Sequence, residues 1–177
     1  MKRVIVTGLL IFICYVLQSS VFPHLAFVDI IPNLMIILTA SHGFMRGEKN
    51  GIWTGFFCGF MIDLFAVYSN EAIAGDLLGF YALIYMLIGY VNGKCNRVFY
   101  PEDIKLPIAM ILASDISLNI IYYIVMFLLR AKLKFQYYLI HIILPEAIYT
   151  ILIAFALYPL LLYLNKKLEL AERGSDE

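Results

Sequence analysis

Within the apolar run GIWTGFFCGFMIDLFAVY, Gly51, Gly55, Gly59 and Asp63 stand at steps of four. On a helix such steps drift slowly around the axis and form a slanted ridge suited to crossing helices. Small residues there let a second backbone come close, which substitutes for the hydrophobic drive that lipid does not supply. An acid inside so apolar a segment must face protein or a watery cavity. The ladder therefore points to a helix packed inside a polytopic bundle, with one polar contact built in. Two readings stand side by side: an internal packing seam without chemistry, or a groove for another span.

Composition supports the membrane setting. Of 177 residues, 63% are hydrophobic and 15% charged, where a soluble domain carries about 25% charged residues. Mean hydropathy is +0.86. The formal net charge is zero, so nothing points to nucleic acid. Lys2 and Arg3 precede an apolar run that passes through Ser19 and Ser20 without a small-x-small cleavage site, which makes a retained first span the expectation. Cys14, Cys58 and Cys95 lack C-x-x-C spacing, and packing is their expected role.

A membrane helix takes about 20 mostly apolar residues. Six candidates fall near 4–20, 31–46, 51–68, 74–92, 106–129 and 138–164. Pro32 suits the first turn of the second, and Pro145 and Pro159 predict a kink or an interfacial end in the sixth. The expectation is an all-α integral membrane protein with one polytopic domain over 1–164 and a charged tail, NKKLELAERGSDE, in 165–177. Basic residues orient it. With the N-terminus inside, Lys2, Arg3, Arg46, Lys49, Lys94, Arg97, Lys105, Lys166, Lys167 and Arg173 are cytoplasmic, against Arg130, Lys132 and Lys134 outside. Both termini are thus expected in the cytoplasm.

Several polar groups fall at membrane depth. Helical rise puts Asp63 roughly 21 Å beyond Lys49, Asp115 about 15 Å beyond Lys105 and Glu146 about 18 Å from Lys134. Asp76 opens the fourth span, where Gly75-Asp76-x-x-Gly79 reads as a turn and cap followed by a packing glycine. Acids at such depth should turn inward. Asp115, Asn119 and Tyr122 share one helical face, and with Glu146 they form either an internal polar network or a ligand or proton site. Gln18 and Asn33 stand at span ends, where they can bond across helices or simply meet the headgroups. His42 and His141 have no second ligand at helical spacing. No catalytic triad, phosphate loop or dinucleotide fingerprint is present, so neither enzyme activity nor a cofactor is expected.

The runs LQSSVFP at 17–23, IIPNLMIIL at 30–38, RGEKNGIWTGFFCGFMIDLF at 46–65 and GDLLGFYALIY at 75–85 resemble the rod shape-determining protein MreD family. The resemblance covers the first half of the chain. Where the family pattern favours Pro-Asp in the second span, this chain has Pro32-Asn33. The resemblance implies a non-enzymatic component of the bacterial cell-elongation machinery in the plasma membrane. It would work with MreC, and indirectly with MreB, RodA and a class B penicillin-binding transpeptidase in peptidoglycan synthesis. It further implies a six-span fold similar to the substrate-capture subunits of energy-coupling-factor transporters. A vitamin- or solute-capture subunit is the rival, with the outward-biased acids lining a ligand cavity. Against it, the first span lacks an alanine-x-x-x-alanine surface. A proton-coupled carrier using Asp115 or Glu146 is the third reading, and the short chain without visible repeats disfavours it.

Overall fold

The structure, a computed structural model, describes residues 2–25, 30–66, 79–96, 104–130 and 135–173. These form six helices. Helix α1 runs through Lys2–Val16, a π-helical turn at Leu17–Val21 and Phe22–Leu25. It is followed by α2 (Leu34–Arg46), α3 (Glu48–Ala66), α4 (Phe80–Cys95) and α5 (Lys105–Arg130). Helix α6 comprises Phe135–Tyr138, a second π-helical turn at Leu139–Ile143 and Leu144–Arg173. Gly75 and Asp76 lie outside the described residues, as do Lys132 and Lys134.

Three helices contain segments long and apolar enough to cross a membrane: Arg3–His24, Lys105–Val125 and Gln136–Leu170. The other three are shorter or less apolar, for a reason visible in their packing. Twelve of the thirteen residues of α2, Leu34 to Met45, are buried. A helix wrapped on every side never meets lipid, so it can carry Thr39, Ser41 and His42 among its apolar residues. It can also be short. Helix α4 has only 16 residues, and α3 carries Glu48, Lys49, Asn50 and Asp63 among its apolar residues.

Hydrogen bonds between helices define the topology. Gln18 Oε1 accepts from Met35 N at 3.1 Å near one end of α2, and Thr7 Oγ1 accepts from Arg46 Nη1 at 2.9 Å near the other, so α1 runs antiparallel to α2. Asn33 N donates to Thr150 Oγ1 at 3.1 Å, and Arg46 Nε donates to Asn165 Oδ1 at 2.7 Å, so α6 runs parallel to it. Tyr85 bonds Asn33 and Asn96 bonds the Phe44 carbonyl, which makes α4 parallel as well. The Asn92–Ser114 bond and the Tyr81–Tyr122 ring contact set α5 antiparallel to α4. Helix α2 is the axis around which the others stand.

The links differ from expectation in two places. Pro32 stands outside the helix rather than in its first turn, because Asn33 is the cap: its Oδ1 accepts from Ile36 N at 3.1 Å. Between α2 and α3 the link is Gly47 alone, at φ +83°, and α3 begins at Glu48 rather than 51. Only glycine adopts that conformation without strain. At the far end α6 continues to Arg173, so most of the charged tail is helical. Cys95, expected in a loop, is the last residue of α4.

Asn33 also accepts from the Tyr85 hydroxyl at 2.9 Å. One oxygen thus caps α2 and holds α4, while the backbone N–H of the same residue holds α6. Only acceptor capacity is used on the side chain, and an aspartate supplies that equally. Asn33→Asp is expected to leave the midpoint of thermal unfolding in detergent nearly unchanged. Asn33→Leu is expected to cost about 1–3 kcal/mol by losing the cap and stranding two donors.

Candidate functional site

The glycine ladder of α3 faces α4, and the two backbones touch. A Cβ built on Gly51 would lie 2.2 Å from the Gly89 carbonyl oxygen, and one on Gly89 would lie 2.0 Å from that of Gly51. One turn along, a Cβ on Gly55 would meet Tyr85 O at 2.1 Å; the next, on Gly59, would meet Tyr81 O at 2.3 Å. Real Cβ atoms do not approach so closely, so each position admits glycine only. The line extends past the part evident in α3. Gly43 of α2 packs against Gly89 and Gly93, and Gly93 packs against Glu48. Three helices therefore meet at backbone distance along one seam.

Asp63 completes that seam. It is 1% exposed, and its Oδ1 and Oδ2 accept from Tyr81 N at 3.2 Å and Ala82 N at 2.9 Å. These are among the first N–H groups of α4, which have no intrahelical acceptor. The residue before the helix, Gly79, sits at φ +99° with no side-chain cap of its own. Asp63 thus caps a neighbouring helix, with its charge at the positive end of that helix dipole. Gly79 was expected to pack, but a Cβ there would meet nothing within 4 Å. Its requirement is the left-handed backbone.

The second polar group surrounds a cavity of about 400 Å³. Its walls are Gln18, Asn33, Ile62, Tyr81, Tyr85, Leu118, Asn119, Tyr122, Tyr138, Ile142 and Glu146, so every helix contributes. The topology sets it at one end of the bundle, where α1, α3 and α5 finish and α2, α4 and α6 begin. Of the residues expected to form a polar network, Asn119, Tyr122 and Glu146 line this chamber. Asp115 lies one turn from Asn119 on the same face of α5 and is 0% exposed. Asn119 Nδ2 donates to the backbone carbonyl of Asp115 at 3.2 Å, not to its carboxylate. Among the described residues neither carboxylate oxygen of Asp115 has a hydrogen-bond partner. Tyr122 stacks on Tyr81 with centroids 6.2 Å apart.

The opposite end is bonded across helices. There Arg46 joins α2 to α1 and α6 through Thr7 and Asn165. Reading by spacing alone passed over several of these groups. Gly89 and Gly93 repeat the four-residue step inside IGYVNGK, a signal as plain as that of α3. Tyr81, Tyr85 and Tyr138 carry no such signal, since three-dimensional packing alone assembles them.

The family model described as rod shape-determining protein MreD matches residues 1–168. No curated protein matches the chain, and neither does any solved structure.

The seam makes a sharp prediction. Gly55→Leu and Gly89→Leu should each cost several kcal/mol, beyond the usual range of about 1–3 kcal/mol for overpacking, and lower accumulation in the membrane. Gly8→Ala is the control, because nothing lies within 4 Å of a Cβ at Gly8. It should leave stability unchanged or raise it by up to about 1 kcal/mol. Quantifying membrane-inserted protein and its thermal midpoint for the three variants tests both parts.

Proposed function

The chain belongs to the MreD family of rod shape-determining proteins, and on that premise we propose that it is a non-enzymatic scaffold of the bacterial cell-elongation machinery. It sits in the plasma membrane with six spans and both termini in the cytoplasm, as the distribution of lysine and arginine favours. Its direct partner is the single transmembrane helix of MreC. Through that contact it supports MreB, RodA and a class B penicillin-binding transpeptidase in lateral peptidoglycan synthesis. The chamber then lies in the extracytoplasmic half.

One observation carries the docking part of this reading: α4 already occupies the glycine ladder. A partner helix must therefore use another face. On the side of α3 away from α4, Trp53, Phe56, Phe57 and Phe60 form a continuous aromatic stripe with centroid separations of 5.5–6.4 Å. Trp53 is 63% exposed and Phe57 48%. Rigid aromatic side chains bring large contact area at low entropic cost, and they are enriched where interfaces carry most of their energy. The stripe is the docking face, and the seam behind it holds the stripe straight.

Replacing Trp53, Phe57 and Phe60 together by alanine should leave membrane accumulation intact, because none of the three is buried. The same protein should lose most co-purifying MreC, and cells that depend on it should round up. Normal MreC recovery together with normal rods would exclude the stripe as the docking face. A C-terminal tag accessible from outside intact cells would exclude the orientation.

A further inference from the structure

The chamber wall holds one acid, Glu146, and the α5 face beside it holds a second, Asp115; the scaffold role uses neither. We infer that the chamber is a binding site for an organic ammonium group, free or borne on a lipid headgroup. Glu146 lies in its wall, and among the described residues no lysine, arginine or histidine lines it. Asp115, fully buried with both oxygens unpartnered among the described residues, stands one turn from Asn119 on the face that lines the chamber. A buried carboxylate without a partner is costly, and a cation held beside Glu146, on the face of α5 that carries Asp115, would lower that cost.

The rest of the wall selects the kind of cation. Tyr81, Tyr85, Tyr122 and Tyr138 contribute four aromatic rings. Ring faces attract alkylammonium groups, and cages of such rings recognise them. A metal ion would want several oxygen or nitrogen ligands converging on one point, and among the described residues no group of three His, Cys, Asp or Glu is placed for that. The volume of about 400 Å³ suits a small organic ligand. An anion would meet the acid Glu146, and a purely apolar ligand would do nothing for the unpartnered Asp115 behind it.

A separate feature marks the same place. Both π-helical turns in the described residues border the chamber. Leu17–Val21 supplies Gln18, and Leu139–Ile143 supplies Ile142 and is immediately preceded by Tyr138. A π turn inserts a residue into a helix and leaves a backbone group poorly paired, so it persists where it re-aims side chains for a use. Two such turns, on α1 and α6, converge on one cavity.

The test uses the full-length chain in nanodiscs of phosphatidylglycerol alone, titrated calorimetrically with ethanolamine and with tetramethylammonium. A second arm uses discs of mixed phosphatidylethanolamine and phosphatidylglycerol, with native mass spectrometry to identify retained lipid. Saturable binding of the free cations, or selective retention of the ethanolamine lipid, is the expected result, and the pair of arms tells the two sources apart. Glu146→Gln should weaken whichever is observed by at least about tenfold. Asp115→Asn should do the same wherever it remains folded; if it does not fold, Glu146→Gln decides, since Glu146 is only partly buried. The inference is overturned if folded protein binds neither cation nor ethanolamine lipid above phosphatidylglycerol. It is equally overturned if Glu146→Gln binds as tightly as the parent, or if a neutral sugar or an anion binds in preference. None of these outcomes touches MreC recovery, so the scaffold reading stands or falls separately.

Discussion

Contact between two backbones, without side chains between them, is the interaction on which this bundle rests. Lipid tails are as apolar as leucine, so burying leucine between helices gains little in a membrane. Close approach gains dispersion contacts and Cα–H to carbonyl contacts that ordinary packing does not reach. The reciprocal placement of Gly51 and Gly89 achieves this, and the neighbouring contacts of Gly55 and Gly59 repeat it along the seam. Register follows from it. A slip of one residue between α3 and α4 would drive a side chain into a carbonyl, so the adjacent registers are excluded. The observed register delivers the Asp63 carboxylate to the first N–H groups of α4.

Fixing α4 then fixes much else. Its first turns carry Tyr81 and Tyr85, both in the chamber wall, and Tyr85 reaches across to Asn33. Asn33 in turn sets the start of α2 and binds Thr150 of α6. The polar contacts are few, yet they form a chain from α3 through α4 and α2 to α6. Each lies where an unpaired group would face a low-dielectric interior, and there misplacement costs more than the bond itself contributes. Apolar packing makes the bundle compact, and these bonds decide which compact arrangement it is.

The class of fold was legible because a bilayer leaves a chain so few options: every backbone group must be satisfied internally, and apolar runs of about 20 residues can do that as helices. The ladder face was legible too, since a four-residue step needs only the sequence to be seen. Its occupant was not. Pairing Gly51 with Gly89 is a tertiary fact, and the fourth span drew notice through Gly75, Asp76 and Gly79 instead. Gly79 illustrates the difference between spacing and conformation. Its step suggested packing, whereas its φ of +99° shows a backbone requirement that no periodicity encodes. The chamber was half legible. Asp115, Asn119 and Tyr122 share a face by arithmetic, but Tyr81, Tyr85 and Tyr138 join them from helices distant along the chain. Pro32 misled by two residues, because the capping oxygen of Asn33 starts the helix at Leu34.

The two ends of the bundle obey different rules, and this contrast bears on what the molecule can do. At the Arg46 end the guanidinium bonds side chains of two other helices, and Asn165, which receives one of those bonds, also reaches Glu169. Toward the chamber end the rings and amides are bonded or stacked, while the buried Asp115 has no hydrogen-bond partner among the described residues. Rigidity alone does not call for a buried carboxylate, since an apolar residue of similar volume at Asp115 would cost nothing in pairing. Retaining it means accepting lower stability, and so does keeping the ring nitrogens of His42 and the Ser41 hydroxyl, which also have no hydrogen-bond partner among the described residues. The seam supplies the rigidity that makes this tolerable. It holds α2, α3 and α4 at backbone contact, so a cavity can remain where α3 ends and α2 and α4 begin without the bundle collapsing into it.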